Sequence, residues 1–149
     1  HPSGQACKDV SREHALEFVL GYTVANDISA RQWQLDPKKN HGQWNRGKIF
    51  DTFCPLGPAL VLQEATMNPH NLNLSLTVNG VEKQNSNTSD LIFSVPEIIE
   101  HFSKDTTLLP GTVILTGTPQ GVGMSHTPPQ GLQPGDIVRA YVESIGELE

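Results

Sequence analysis

Residues 21–34, GYTVANDISARQWQ, set an acid (Asp27), a base (Arg31) and an amide (Gln34) at positions i, i+4 and i+7. The first part, Tyr22 to Asn26, reads as a buried strand, and a short helix is expected over Ser29 to Leu35. If the backbone turns helical just after Asp27, Arg31 and Gln34 share one face, with Asp27 at its N-terminal edge. A carboxylate at a strand-to-helix junction, beside two long polar arms, suits a small anion or a hard metal. Plainer roles fit the same residues: Asp27 as a helix N-cap, Arg31 in an i,i+4 ion pair and Gln34 as a solvated amide.

Working outward, Val10 to Leu20 (VSREHALEFVL) is expected to be helical, with Ser11 as N-cap and Gly21 as the stop. The polar run Asp36 to Arg46 reads as an exposed loop, and Ala59 to Leu62 as a short apolar strand. Leu72 to Val78 alternates apolar and polar residues, reaches Asn79-Gly80 and returns through Val81 to Asn85, a hairpin pattern. Ser94, with Glu97 three residues on, predicts a capping box opening a helix through Ile98 to Phe102. Thr112 to Leu115 is expected to be a buried strand feeding a glycine-rich loop, TGTPQGVG, at 116–123. A turn-rich connector over His126 to Gly135 leads to a half-exposed strand, Asp136 to Glu143. With no internal repeat and no linker, the pattern is one domain over 1–149, mainly β with two or three short helices (α+β).

The composition narrows the partners. Sixteen acids against ten scattered bases give a formal charge of −6, which argues against nucleic acid. No apolar run approaches the ~20 residues of a membrane span. Cys7 and Cys54 stand in no metal-type spacing and read as reduced thiols, so an intracellular setting, mitochondrial or cytoplasmic, is expected. The chain opens on His1 rather than Met, which leaves room for a targeting segment removed upstream.

Two further segments carry chemistry. Lys48, in GKIFDT, is flanked by small and apolar residues; its point charge can stabilise an enolate or oxyanion, although a surface lysine at a loop end fits equally. The TGTPQGVG loop lacks the Lys-Ser/Thr of a Walker loop and the spacing of a dinucleotide fingerprint. Backbone N–H groups and threonine hydroxyls holding a carboxylate suit it better than a nucleotide. The six histidines form no H-x-H or H-x-x-x-H pair. Glu147 and Glu149 share a strand face and read as a solvated tail.

In order, GYTVANDISARQWQ, GKIFDTFCPLGPALV, VNGVEKQNSNTSDLIFS, PGTVILTGTPQGVG and LQPGDIVRAYVESIGELE resemble the C-terminal catalytic domain of the fumarylacetoacetate hydrolase family. FDTFCPLGPALV resembles the fumarylacetoacetate hydrolase domain-containing protein 2 group in particular. The resemblance implies a mixed, mostly β roll around a Mg²⁺ or Mn²⁺ site, in a homodimer. It implies Asp27 as a metal ligand, and Arg31 and Gln34 as residues orienting substrate or metal-bound water. Lys48 then neutralises charge on the substrate oxygen, while Thr118 and the neighbouring glycines, Gly117 among them, hold a carboxylate. The implied activity is on small 2-oxo and β-diketo acids through a metal-stabilised enolate: C–C hydrolysis, oxaloacetate decarboxylation or keto–enol tautomerisation.

The family's other two metal ligands, a Glu-x-Glu pair, belong to a strand upstream of the first helix, and its acid/base lid lies further upstream still. His1-Pro-Ser-Gly4 is expected to begin a few residues after that strand, so the chain reads as the C-terminal portion of the catalytic domain, with an N-terminal segment supplying both glutamates. One carboxylate alone holds Mg²⁺ poorly. The competing reading is a non-catalytic binding or scaffold module that keeps the fold without a complete metal site.

Overall fold

The structure, a computed structural model, describes residues 5–64 and 68–149. His1–Gly4, where the upstream glutamate strand was expected to have just ended, lie outside the described residues. Strand β1 (Gly21–Ala25) pairs antiparallel with β2 (Leu56–Leu62). A second antiparallel sheet has the order β4-β3-β5-β6, from β3 (Asn73–Val78), β4 (Val81–Asn87), β5 (Val138–Val142) and β6 (Gly146–Leu148). Among the described residues three short α-helices accompany them: α1 (Arg31–Leu35), α2 (Pro37–Asn40) and α3 (Val95–Ser103). The architecture is the mainly β, short-helix one that the sequence pattern predicts.

Two local signals hold closely. Asn79 and Gly80 both take positive φ, 52° and 76°, the backbone a two-residue hairpin loop needs to match the strand twist. At α3, Ser94 accepts from the Glu97 N–H and the Glu97 carboxylate accepts from the Ser94 N–H at 2.8 Å. That second bond, joined by the Ser94 hydroxyl, holds the Glu97 carboxyl below its ordinary value.

Helix α3 closes a small core in which Ile99 packs with Cys7, Val10 and Ala15. The Cys7 and Leu108 backbones exchange hydrogen bonds of 3.0 and 2.8 Å. Ser103, fully buried, accepts from the Val10 N–H at 3.0 Å, and Arg12 reaches Glu97 and Glu100 at 3.2 and 3.0 Å.

Those ties correct the expected helix over Val10 to Leu20. Only a 3₁₀ turn forms, Ala15–Phe18, preceded by His14 rather than capped by Ser11. A short helix is marginal alone, and here α3 pins the Val10 and Arg12 backbones instead. The expected loop Asp36 to Arg46 contains α2, capped by the Asp36 carboxylate on the Lys38 N–H, and a 3₁₀ turn, Trp44–Gly47. Thr112 to Leu115 forms no strand, and Val113 and Leu115 are exposed. β propensity builds a strand only where a partner edge lies alongside, and none does among the described residues. Glu147 and Glu149 are not a free tail, because β6 pairs with β5 and both carboxylates face Arg139.

Candidate functional site

Asp27 follows β1, where the Asn26 N–H donates to the Pro55 carbonyl at 3.2 Å and ties the strand exit to the start of β2. The helix begins only at Arg31, so Asp27 stands off α1 instead of lying at its N-terminal edge. Its carboxylate meets Lys48: Lys48 Nζ donates to Asp27 Oδ2 at 2.5 Å. Both side chains keep solvent contact, 30% exposed for Lys48 and 42% for Asp27. The pair therefore adds little to stability, and Oδ1 carries no hydrogen bond from a described residue.

The meeting is built by a close backbone contact. The Ala30 N–H donates to the Gly47 carbonyl at 2.9 Å. A Cβ on Gly47 would sit 2.7 Å from Gln34 Cβ and 3.0 Å from the Ala30 oxygen, so only glycine lets the 44–47 turn seat on α1 and deliver the next residue, Lys48. Arg46 clamps the seat from outside, its guanidinium 4.7 Å from the Trp33 ring and 4.6 Å from the Phe50 ring. The motif pattern points to neither Gly47 nor Arg46; a glycine immediately before Lys48 is the available signal.

Arg31 and Gln34 do come together, Arg31 Nη1 donating to Gln34 Oε1. Gln34 is buried, and its backbone carbonyl also accepts from Asn40 Nδ2. Its Oε1 supports Arg31, while its Nε2 donates to no described residue. Asp27, Arg31, Lys48, Gly117 and Thr118 all line one open concavity of about 1850 Å³, larger than a small acid fills.

The 116–123 loop, which also lines the concavity, is anchored by a residue of the VNGVEKQNSNTSDLIFS stretch to which the sequence reading assigns no role. Gln84 on β4 is buried, and its Nε2 donates to Thr118 Oγ1 and to the Pro119 carbonyl, both at 2.9 Å. Gly121 lies so close to β4 that a Cβ there would stand 1.9 Å from the Lys83 oxygen. Gly117, by contrast, has φ 108° and nothing within 4 Å of where a Cβ would be. An amide inside a strand is the available sequence sign of Gln84.

A hard divalent ion wants several oxygen ligands. Among the described residues no three His, Cys, Asp or Glu side chains converge. Asp27 supplies an oxygen of the right chemistry, but the described residues do not make a metal centre by themselves.

Asp27 and Lys48 meet directly, and Arg31 and Thr118 line the same broad, open concavity. The chain belongs to the fumarylacetoacetate hydrolase family: the model of the fumarylacetoacetate (FAA) hydrolase C-terminal region matches residues 3–149. It is 50% identical over 145 residues to the mitochondrial oxaloacetate tautomerase of Xenopus laevis, covering 97% of this chain and 45% of that protein. Fumarylacetoacetate hydrolase from Exiguobacterium antarcticum superposes with a TM-score of 0.91 at 40% identity, over 98% of this chain and 51% of that one. Fumarylpyruvate hydrolase from Pseudomonas aeruginosa, solved in complex with Mn²⁺ and pyruvate, gives 0.85 at 32% identity, over 98% and 59%. The chain thus spans about half the length of the relatives it matches.

Proposed function

We propose that residues 1–149 are the C-terminal portion of a single catalytic domain in an enzyme acting on small 2-oxo or β-diketo acids. Keto–enol tautomerisation of oxaloacetate is the first reaction to test, with C–C hydrolysis and decarboxylation as its relatives. The observation that carries the reading is the Asp27–Lys48 pair, 2.5 Å apart at the concavity that Arg31 and Thr118 also line. In this reading Asp27 is one ligand of Mg²⁺ or Mn²⁺, and two glutamates from sequence outside these 149 residues complete the set. The Mn²⁺ of the Pseudomonas relative supports the use of a divalent metal.

The chain's own residues then divide the work. Arg31, steadied from behind by Gln34, offers its guanidinium to a carboxylate. Thr118, beside the open Gly117 position, donates its hydroxyl to a carboxylate. Lys48 places its positive charge where the 2-oxo oxygen gains negative charge. Its partner uses only one Asp27 oxygen, so both roles fit one carboxylate.

The mitochondrial Xenopus relative supports a mitochondrial setting, and no helix among the described residues is long and apolar enough to cross a membrane. A homodimer belongs to the same proposal, and sedimentation of the full-length protein tests it. For the activity, full-length protein is mixed with oxaloacetate, and separately with acylpyruvates, with Mg²⁺, with EDTA, and with Mn²⁺ added back. Metal-dependent turnover of at least one of them is expected. No turnover under saturating metal sinks the enzyme reading and favours the scaffold module, which the incomplete ligand set would otherwise suggest.

A further inference from the structure

We infer that Gln84 is a positioning residue for substrate: it commits the Thr118 hydroxyl oxygen as an acceptor, so that the hydroxyl proton is turned to the substrate carboxylate. This rests on the reading of Thr118 as a carboxylate donor given above.

The neighbours of the Gln84 amide decide which of its ends faces the loop. Its terminal atom lies 2.9 Å from the Pro119 carbonyl and 3.4 Å from the Gln120 carbonyl. Carbonyl oxygens only accept, so that atom is the NH₂ nitrogen and cannot be the oxygen. Its two hydrogens serve the two 2.9 Å contacts, and one of those is Thr118 Oγ1. A hydroxyl that already accepts from a fixed, buried amide has its own proton left to give. Thr118 is exposed to the concavity and its hydroxyl donates to no described residue. A carboxylate accepts only, so it can take that proton, while the second Oγ1 lone pair stays open.

The backbone adds further donors. The peptide units from Pro119 to Gly121 are trans, so each N–H points opposite to its unit's carbonyl. With the Pro119 and Gln120 carbonyls turned onto Gln84, the Gln120 and Gly121 N–H groups point away from it. Neither donates to a described residue. Gln84 therefore gathers the loop's acceptors on the β4 side and leaves donors on the other. The close seat of Gly121 on Lys83 keeps the loop near enough for the amide to reach.

The test uses the full-length protein with Mn²⁺ and pyruvate as the binding probe, titrated by calorimetry, for wild type, Thr118→Val, Gln84→Glu and the double variant. Thr118→Val is expected to weaken pyruvate about tenfold, the loss of one charge-assisted hydrogen bond. Gln84→Glu should cost at least as much, because a carboxyl group cannot donate to both Thr118 Oγ1 and the Pro119 carbonyl as the amide does. The double variant should then bind within about twofold of the weaker single variant. With oxaloacetate, KM should rise in Gln84→Glu and kcat should change by less than about threefold. A purely structural defect would instead lower the active fraction, and so kcat, at unchanged KM.

If Thr118→Val weakens pyruvate and Gln84→Glu does not, Gln84 is not a positioning residue. Fully additive losses would equally remove Gln84 from that role. If Thr118→Val leaves pyruvate affinity unchanged, the carboxylate reading of Thr118 itself fails. Should Gln84→Glu not fold by circular dichroism, the near-isosteric Gln84→Met replaces it in the same cycle. There the loss of the amide hydrogens predicts weaker pyruvate binding and the same non-additivity with Thr118→Val.

Discussion

Lys48 Nζ and Asp27 Oδ2 stand 2.5 Å apart although 21 residues separate them in sequence. Two structural facts bring them together: β1 pairs with β2, and the Gly47 carbonyl accepts from Ala30 at the head of α1. The relationship gives Lys48 a fixed place and leaves Asp27 with a second oxygen. That division makes the two residues separable by experiment.

Lys48→Met in the full-length protein should lower kcat by about 100-fold or more, the scale of losing a preorganised charge at a developing anion. Mn²⁺ affinity should hold or tighten, because Asp27 Oδ2 loses its competitor. Electron paramagnetic resonance of free Mn²⁺ reads the affinity directly. A large loss of Mn²⁺ binding with kcat preserved would reverse the roles assigned to the pair.

Asp27→Ala should abolish metal-dependent activity and leave the fold intact. The lost ion pair is solvent-exposed, so thermal or urea unfolding should register less than about 1 kcal/mol. Full activity in this variant would remove Asp27 from the ligand set.

The glycines of the 116–123 loop should differ sharply. Gly121→Ala meets both a strained backbone, φ 99°, and a Cβ 1.9 Å from the Lys83 oxygen, for a loss of about 3 kcal/mol or more. Gly117→Ala meets only the backbone strain and should lose about 1–2 kcal/mol. Urea denaturation of both variants, side by side, checks the ordering; equal losses would mean that the loop does not seat on β4.

Tyr22 sets an alkaline limit. Burial pushes its phenol up to about 12 from 10.0. As the pH rises past 10, the unfolded chain releases this proton while the folded chain keeps it. The unfolded state then binds fewer protons, so stability falls between pH 10 and about 12, and below that window Tyr22 adds no pH dependence. Tyr22→Phe should remove this part of the alkaline decline. At neutral pH it should melt no lower than wild type, because Tyr22 Oη is buried with no hydrogen-bond partner among the described residues. Melting curves from about pH 8 to 12 decide it, and identical alkaline slopes would count against the buried phenol.

Much of the fold was legible where the deciding forces are local. Asn79-Gly80 declares its hairpin because few other pairs accept positive φ twice in succession. Ser94 and Glu97 declare their helix start because each satisfies the other's neighbouring backbone donor within one turn. The candidate site residues Asp27, Arg31, Lys48 and Thr118 were legible only through the family resemblance, because Asp27, Arg31 and Lys48 each fit a plainer structural role when read alone. The order of the motifs was enough to place the chain in its family.

Tertiary structure decided the rest. Val10 to Leu20 has helical composition, yet α3 claims its backbone and leaves a single 3₁₀ turn. Thr112 to Leu115 has strand composition, but a strand exists only when an edge lies beside it. Gln34, written on one helix face with Arg31, is buried and accepts from it. The amide of Gln84 gains its meaning only from a loop 34 residues further on. By itself the sequence determined which groups are available and where the chain must turn, because those depend on neighbours within a few residues. Which of the groups meet was left to packing, since contacts between distant segments depend on the whole fold at once.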